Sequence, residues 1–201
     1  MGSYAHIGAG FSLGFHHRRA LCHLLADTPL STGILSLDPE SLLAAGISVL
    51  ALDFDGVLAG HGAPVPLPEA TVWLKRCEAH FGGGQIFILS NKPTEGRRQW
   101  FAEHFPALRF ISGVRKKPYP DGLLKTAELA GVPASSILMV DDRLLTGCLA
   151  ALVAGARPCY IRHPYATFNF RPFAELFFWS LRVGERVFVR MVSLLTPGDD
   201  R

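Results

Sequence analysis

Cysteine is scarce in this chain of 201 residues. There are four, Cys22, Cys77, Cys148 and Cys159, and no two of them make a C-x-x-C pair. That spacing argues against a zinc site or a disulfide frame and for buried, reduced thiols in an intracellular protein. Long apolar runs are missing too. None approaches the ~20 residues that span a bilayer, although the mean hydropathy of +0.24 is on the apolar side for a soluble protein. The N-terminus has no basic stretch leading into an apolar one, so no secretory signal is expected. His6 stands where a myristoylation signal carries Ser or Thr. A strong charge bias is also absent: the formal net charge is +3, and so mild an excess gives no reason to expect nucleic acid. What remains is enough chain for one domain with a real core and a short extension, with the cytoplasm as its expected place.

Residues 1–46 carry little regular pattern. Gly8, Gly10 and Gly14 cluster loosely, but no strand precedes them, which argues against a phosphate loop. His16, His17, Arg18 and Arg19 lead into Ala20–Leu25, a short predicted helix with a basic front. It reads as a solvated helix end, or as a contact with an anionic surface. From residue 47 the pattern becomes regular. Apolar strands are predicted at Ile47–Phe54, Gln85–Leu89, Leu108–Ile111, Ile137–Val140 and Pro158–Ile161. Between them lie predicted helices at Pro68–His80, Thr94–Phe105, Pro120–Ala130 and Leu144–Ala154, the last two closed by Gly131 and Gly155. Strands alternating with helices predict an α/β fold, a doubly wound parallel sheet. Strands this apolar fit a sheet buried on both faces. The expected division is an N-terminal extension over 1–46, a catalytic domain over 47–168 and a C-terminal helix and tail over 169–201.

In an open parallel sheet ligands bind beyond the carboxyl ends of the strands, so the residues that follow each strand matter most. Asp53 and Asp55 follow the first, and Ser90 and Asn91 the second. Lys116 and Lys117 come shortly after the third, and Asp141, Asp142 and Arg143 after the fourth. Acid, hydroxyl, amine and acid would converge on one rim. Chemistry can be given to each. A carboxylate can attack an electrophile and form a covalent acyl-phosphate. Phosphoryl transfer needs cations and hydrogen-bond donors around the phosphate oxygens, which Ser90, with Asn91 beside it, and Lys117 would supply. Mg²⁺ takes oxygen ligands, and Asp53 with Asp142 would hold it. Asp55, two residues on, is near enough for acid–base work. Plainer roles exist for each: Asp after a strand is often a cap or turn residue, Ser-Asn is ordinary loop chemistry, and Lys117 before Pro118 suits a solvated lysine. Arg143 would pair with an acid or face solvent.

These residues resemble the haloacid dehalogenase (HAD) superfamily of phosphatases. The likeness is carried by D-F-D-G-V-L at 53–58, L-S-N at 89–91, K-K-P at 116–118 and V-D-D-R-L-L-T at 140–146, over roughly residues 45 to 165. It implies Asp53 as nucleophile, Asp55 as general acid/base, Ser90 and Lys117 as phosphate ligands and Asp142 as a Mg²⁺ ligand. It also implies a metal bond from the backbone carbonyl of Asp55, and a Rossmann-like sheet of order 5-4-1-2-3. A narrower likeness, from S-N-K, K-P-Y-P and V-D-D-R-L-L-T-G-C-L, is to the YqeG-like branch that includes phosphatidylglycerophosphate phosphatases. That branch usually has D-x-D-N-T-L, where this chain has D-F-D-G-V-L, and G-D-Q-L-x-T-D, where this chain has Asp141-Asp142-Arg143 and then Gly147. The second acid of the fourth motif is therefore absent, and Asp141 is the residue that could take over part of its role.

Neither interval between motifs has room for a folded cap, so a site open to solvent is expected. It would suit a substrate that brings its own cover, such as a protein, a nucleic acid end or a lipid headgroup. His61, in the loop 59–68, reads as a rim residue or an exposed turn histidine. The segment Phe170–Leu195 reads as a helix with Phe173, Leu176, Phe177, Leu181, Phe188, Met191 and Leu195 on one side and Arg182, Glu185, Arg186 and Arg190 on the other. Such a helix can lie at a membrane surface with its arginines reaching the headgroups, pack on the domain or build a dimer contact. The function expected is Mg²⁺-dependent hydrolysis of a phosphomonoester through an aspartyl-phosphate, with a lipid phosphate as leading substrate and an anionic membrane surface as partner. The alternatives are a soluble sugar, nucleotide or protein phosphate, or a catalytically weak binding module. The sequence does not fix an oligomeric state.

Overall fold

The computed structural model describes residues 5–90, 94–169 and 171–194. Five parallel strands form its middle: β1 (Val49–Leu52), β2 (Ile86–Ile88), β3 (Arg109–Phe110), β4 (Ile137–Asp141) and β5 (Arg157–Tyr160). Their order across the sheet is 3-2-1-4-5, the α/β Rossmann-like arrangement expected. Helices α1 (Ala5–His16), α2 (Arg18–Asp27) and α3 (Pro39–Ala44) precede β1. The crossovers carry α4 (Pro68–Phe81), α5 (Glu95–His104), α6 (Asp121–Ala130) and α7 (Leu149–Ala154), and α8 (Pro172–Leu194) follows β5.

Strand β1 is central, with Leu50 in register with Ile86 on one side and Leu138 on the other. All four of its residues are buried, because alternate side chains enter different cores. Leu50 and Leu52 pack with Trp73, Leu74 and Phe101. Val49 and Ala51 pack with Leu123, Ala150 and Ala151. A strand covered on both faces has no polar positions to offer, which is why VLAL runs apolar without alternation. Local signals set the helix ends. Thr94 caps α5 by accepting a hydrogen bond from the Arg97 amide. Gly131 and Gly155 close α6 and α7 in the left-handed conformation.

Two differences from the predicted elements bear on the site. The predicted helix over 144–154 opens with a π-helical turn, Leu144–Cys148, before α7 begins. A third core joins both flanking segments to this region: Leu21 and Leu25 of α2, Leu144, Leu145 and Leu149, Tyr160 of β5 and Val189 of α8. In α8 the outcome is the reverse of what the apolar pattern suggests. Glu175, Arg182 and Glu185 are buried, together with Val189 and Val192. Phe173, Leu176, Phe177, Trp179, Val187 and Met191 remain exposed. Over the rim the surface beneath the helix is acidic and polar and takes Glu175, Arg182 and Glu185, while Val189 joins the third core. Phe170 and Leu195 lie outside the described residues.

Candidate active site

The carboxyl ends of β1 and β4 bring the acids together. Asp53 leaves β1 with its amide bonded to the Val140 carbonyl of β4 at 2.9 Å. Asp141 ends β4 and Asp142 follows it. One carboxylate oxygen from each of Asp53, Asp141 and Asp142 lies within 4.8 Å of the other two. Asp141 and Asp142 are buried, and the Asp53 side chain is 16% exposed. Three acids this close need positive charge, and Lys117 supplies one. Its Nζ lies 2.9 Å from Asp53 Oδ1 and 2.6 Å from Asp141 Oδ2. Burial alone would lower the Lys117 pKa, but the Asp141 and Asp53 carboxylates outweigh it and hold the ammonium more firmly protonated than usual. For Asp53 burial dominates and, with the neighbouring acids, raises the pKa to about 7 despite Lys117. Asp142 is likewise raised to about 7 by burial, against the pull of Arg182. The cluster therefore still favours added positive charge.

That donor set suits a hard divalent ion: three carboxylates, closely grouped at the end of a parallel sheet. Asp53, Asp141 and Asp142 would hold it. The acid the fourth motif lacks at position 147 has a spatial counterpart here. A Cβ placed on Gly147 would come 2.0 Å from Asp141 Oδ2, so the Asp141 carboxylate fills the volume a side chain there would need. Gly56 is required for a similar reason. Its φ is +82°, and a Cβ there would meet Asp142 Oδ2 at 2.3 Å.

Asp55 lies apart from the cluster in its bonding. Its carboxylate receives Arg97 Nη2 at 2.7 Å and Nη1 at 3.2 Å, with the Gly62 amide at 2.9 Å. Burial would raise its pKa, but Arg97 and the Gly62 amide prevail and hold it below the usual carboxylate range. Arg97 is itself fixed, with Nε donating to the Ala63 carbonyl at 2.9 Å and the guanidinium over the Phe54 ring at 3.9 Å. Ser90 stands beyond β2 and lines, with Lys117, Arg115, Val114 and Tyr119, a small cavity at the rim. Asn91 lies outside the described residues.

The expectation of a site open to solvent is corrected. The described residues between β1 and β2, and between β2 and β3, hold no folded cap, but α8 comes back over the rim. Arg182 Nε donates to Asp142 Oδ2 at 2.5 Å. Arg143 pairs with Glu185 through Nε and Nη2. Glu175 accepts from the amides of His61 and Thr167, each at 3.0 Å. His61 is thus neither a rim residue nor an exposed turn histidine: it is 7% exposed and stacks on Phe178 with ring centroids 3.6 Å apart. Burial, with Arg182 nearby, lowers its pKa. Arg97, Glu175, Arg182 and Glu185 are the site residues that strand-end reasoning misses. For three of them a signal exists: 175, 182 and 185 share one helix face by their spacing, but spacing alone does not say what that face meets.

Among known proteins, the family model of haloacid dehalogenase-like hydrolases matches residues 13–155. No curated protein matches the chain. A solved structure of an uncharacterized protein from Corynebacterium glutamicum is similar at 23% identity and a TM-score of 0.45, covering 67% of this chain and 96% of that one. No helix among the described residues is long and apolar enough to cross a membrane.

Proposed function

Since the chain belongs to the haloacid dehalogenase-like hydrolase family, we propose that it hydrolyses phosphomonoesters through an aspartyl-phosphate on Asp53, with Mg²⁺ held by Asp53, Asp142 and the backbone carbonyl of Asp55, and with Asp141 as a further ligand. The observation that carries the reading is the grouping of Asp53, Asp141 and Asp142 at the ends of β1 and β4, with Lys117 bonded to the first two. The ion, when bound, would neutralise phosphate charge and orient the phosphoryl group.

The chain's own residues supply the rest. Lys117, fixed between two carboxylates, presents positive charge to the phosphoryl oxygens, and Ser90 offers a hydroxyl on the same side. An Asp53 oxygen attacks phosphorus while the bond to the leaving oxygen breaks, and that oxygen takes a proton from Asp55. Asp55 then removes a proton from water, whose oxygen attacks the phosphoenzyme and frees phosphate and Asp53. The Arg97 pair favours the ionised form of Asp55 and so assists this second step more than the first.

The substrate we favour is a lipid phosphate such as phosphatidylglycerophosphate, with the protein peripheral at the inner face of a membrane. Support comes from the likeness of S-N-K and K-P-Y-P to the YqeG-like branch and from the exposed apolar side of α8, Phe173 to Met191. A second reading, a catalytically weak binding module, is favoured by the Arg182–Asp142 pair, which occupies a proposed metal ligand. A phosphatase screen that includes phospholipids separates them. We expect Mg²⁺-dependent turnover of an aryl phosphate that falls by about 10³-fold or more in Asp53→Asn, and turnover of phosphatidylglycerophosphate above that of soluble esters. No turnover of any phosphomonoester over a range of Mg²⁺ would leave the binding module. Preference for a soluble ester would sink the lipid assignment alone.

A further inference from the structure

Helix α8 is built inside out. Three charged residues on one face, Glu175, Arg182 and Glu185, are each at most 7% exposed, while Phe173 is 87% and Leu194 77% exposed on the outer side. A helix with an apolar stripe ordinarily buries that stripe. Toward its C-terminal end Val189 packs in the third core, but over the rim the helix is held by polar contacts, and each of the three reaches a different part of it. Glu175 takes the amides of His61 and Thr167. Glu185 takes Arg143. Arg182, midway, enters the acidic cluster and bonds Asp142. Charges buried on both partners are tolerated only while paired, so these bonds act as latches: the helix stays down while each acid and base keeps its mate.

Arg182 already neutralises a carboxylate that an added cation would have to share. Mg²⁺ bonds a carboxylate oxygen at about 2.0–2.1 Å, inside the 2.5 Å at which the guanidinium already approaches Asp142 Oδ2. The Gly56 backbone closes another side, since a Cβ there would lie 3.0 Å from Arg182 Nη2 and 2.3 Å from Asp142 Oδ2. His61 Nδ1 lies 3.5 Å from Arg182 Nη2, and its ring stacks on Phe178 of the same helix. Two cations on one buried carboxylate repel, and each weakens the other's hold on it.

We propose that Arg182 is the resident cation of Asp142, and that a divalent ion and the docked α8 exclude each other: α8 is a strap that metal binding must lift. The inference rests on the metal-holding role given above to Asp53, Asp141 and Asp142. Linkage makes it reciprocal: bound metal weakens the docked strap by the factor by which the docked strap weakens metal binding.

Two measurements on the full chain test it. The first titrates Mn²⁺, as a paramagnetic stand-in for Mg²⁺, by electron paramagnetic resonance. Arg182→Gln should bind at least about 10-fold more tightly than wild type, a typical coupling between two sites. Glu175→Gln, which keeps Arg182 but weakens the latch at His61 and Thr167, should fall between them and serves if Arg182→Gln folds poorly. The second follows hydrogen exchange over residues 172–194. Saturating Mg²⁺ should speed exchange there in wild type and not in Asp142→Asn. Equal or weaker Mn²⁺ binding in both variants, or α8 protection unchanged by bound Mg²⁺, overturns the strap while leaving the metal site standing. Absence of Mn²⁺ binding in all three proteins overturns the metal site, and the strap with it.

Discussion

Arg97 grips both oxygens of Asp55, at 2.7 and 3.2 Å, from the first turn of α5. The pair joins the loop after β1 to the helix after β2, two elements that also meet in the core where Phe54 packs on Phe101. Its consequence is electrostatic: it holds Asp55 below the ordinary carboxylate range although the side chain is largely shielded from water. In the proposed mechanism Asp55 must give up a proton before it takes one, so Arg97 sets how easily the first step begins.

Replacing Arg97 by Gln should therefore raise the pKa of Asp55. The fraction of enzyme carrying the acid form then persists to higher pH, and the descending limb of kcat/KM against pH moves in the alkaline direction. The same change should lower stability by about 2 kcal/mol, the penalty for stripping a partner from a half-buried carboxylate. A pH–rate profile with an unmoved alkaline limb would count against Asp55 as the acid, whatever the stability change.

Lys117 lies between Asp53 and Asp141, so Lys117→Met leaves two carboxylates facing each other with no ammonium. Removing one partner of a buried ion pair typically costs about 3–5 kcal/mol, which for a chain of this size lowers Tm by roughly 10 °C. The deficit should grow from pH 6 to pH 8 as Asp53 loses its proton, and Mg²⁺ should recover more of it than it adds to wild type. Thermal unfolding at three pH values with and without Mg²⁺ checks both. A drop of under about 2 °C throughout would show that Lys117 does not stabilise the cluster.

The sequence was most informative where one residue type has one use. VLAL followed by Asp-Phe-Asp-Gly marks a buried strand ending at a site, and Gly56 with its positive φ is the residue that lets Asp142 approach. Thr94, Gly131 and Gly155 mark helix ends by local chemistry alone. Contacts between distant segments were not legible. Nothing near Asp142 in the chain announces Arg182, 40 residues on, and the spacing of Glu175, Arg182 and Glu185 fits a solvated face as well as a buried one. The choice is made by what the helix lies upon, an acidic rim assembled from two strands, and that is a property of the fold. The sequence does not announce the burial of His61 for the same reason, since α8 returns to stack Phe178 on its ring.

The raised carboxylates give a signed dependence of stability on pH. Burial lifts Asp142 from 3.8 to about 7, so between these values the folded chain holds a proton that the unfolded chain has released. Stability from this group is therefore lost as pH rises from about 4 to 7 and is level above that. In the presence of a chelator, the Tm of wild type minus that of Asp142→Asn should decline over this window and then flatten. A difference that stays constant from pH 4 to 8 would mean that Asp142 keeps an ordinary acidity in the fold.

Gly147 offers the sharpest steric test. Its added Cβ would lie 2.0, 2.4 and 2.6 Å from Oδ2, Cγ and Cβ of Asp141. Gly147→Ala must push that carboxylate off Lys117 Nζ and off the Arg143 amide, which it now engages at 2.6 and 2.9 Å. Overpacking alone costs about 1–3 kcal/mol, and the broken ion pair adds to it, so a loss near 3 kcal/mol is expected along with weaker Mn²⁺ binding. The transposed pair, Asp141→Gly with Gly147→Asp, removes the clash and returns an acid from the neighbouring position. If the two positions share one volume and one charge, the double variant will be more stable than the sum of the single changes predicts, a coupling that a double-mutant cycle reads directly. Additive effects, or a Gly147→Ala protein that melts within a degree of wild type, would show that Asp141 does not stand in for a side chain at 147.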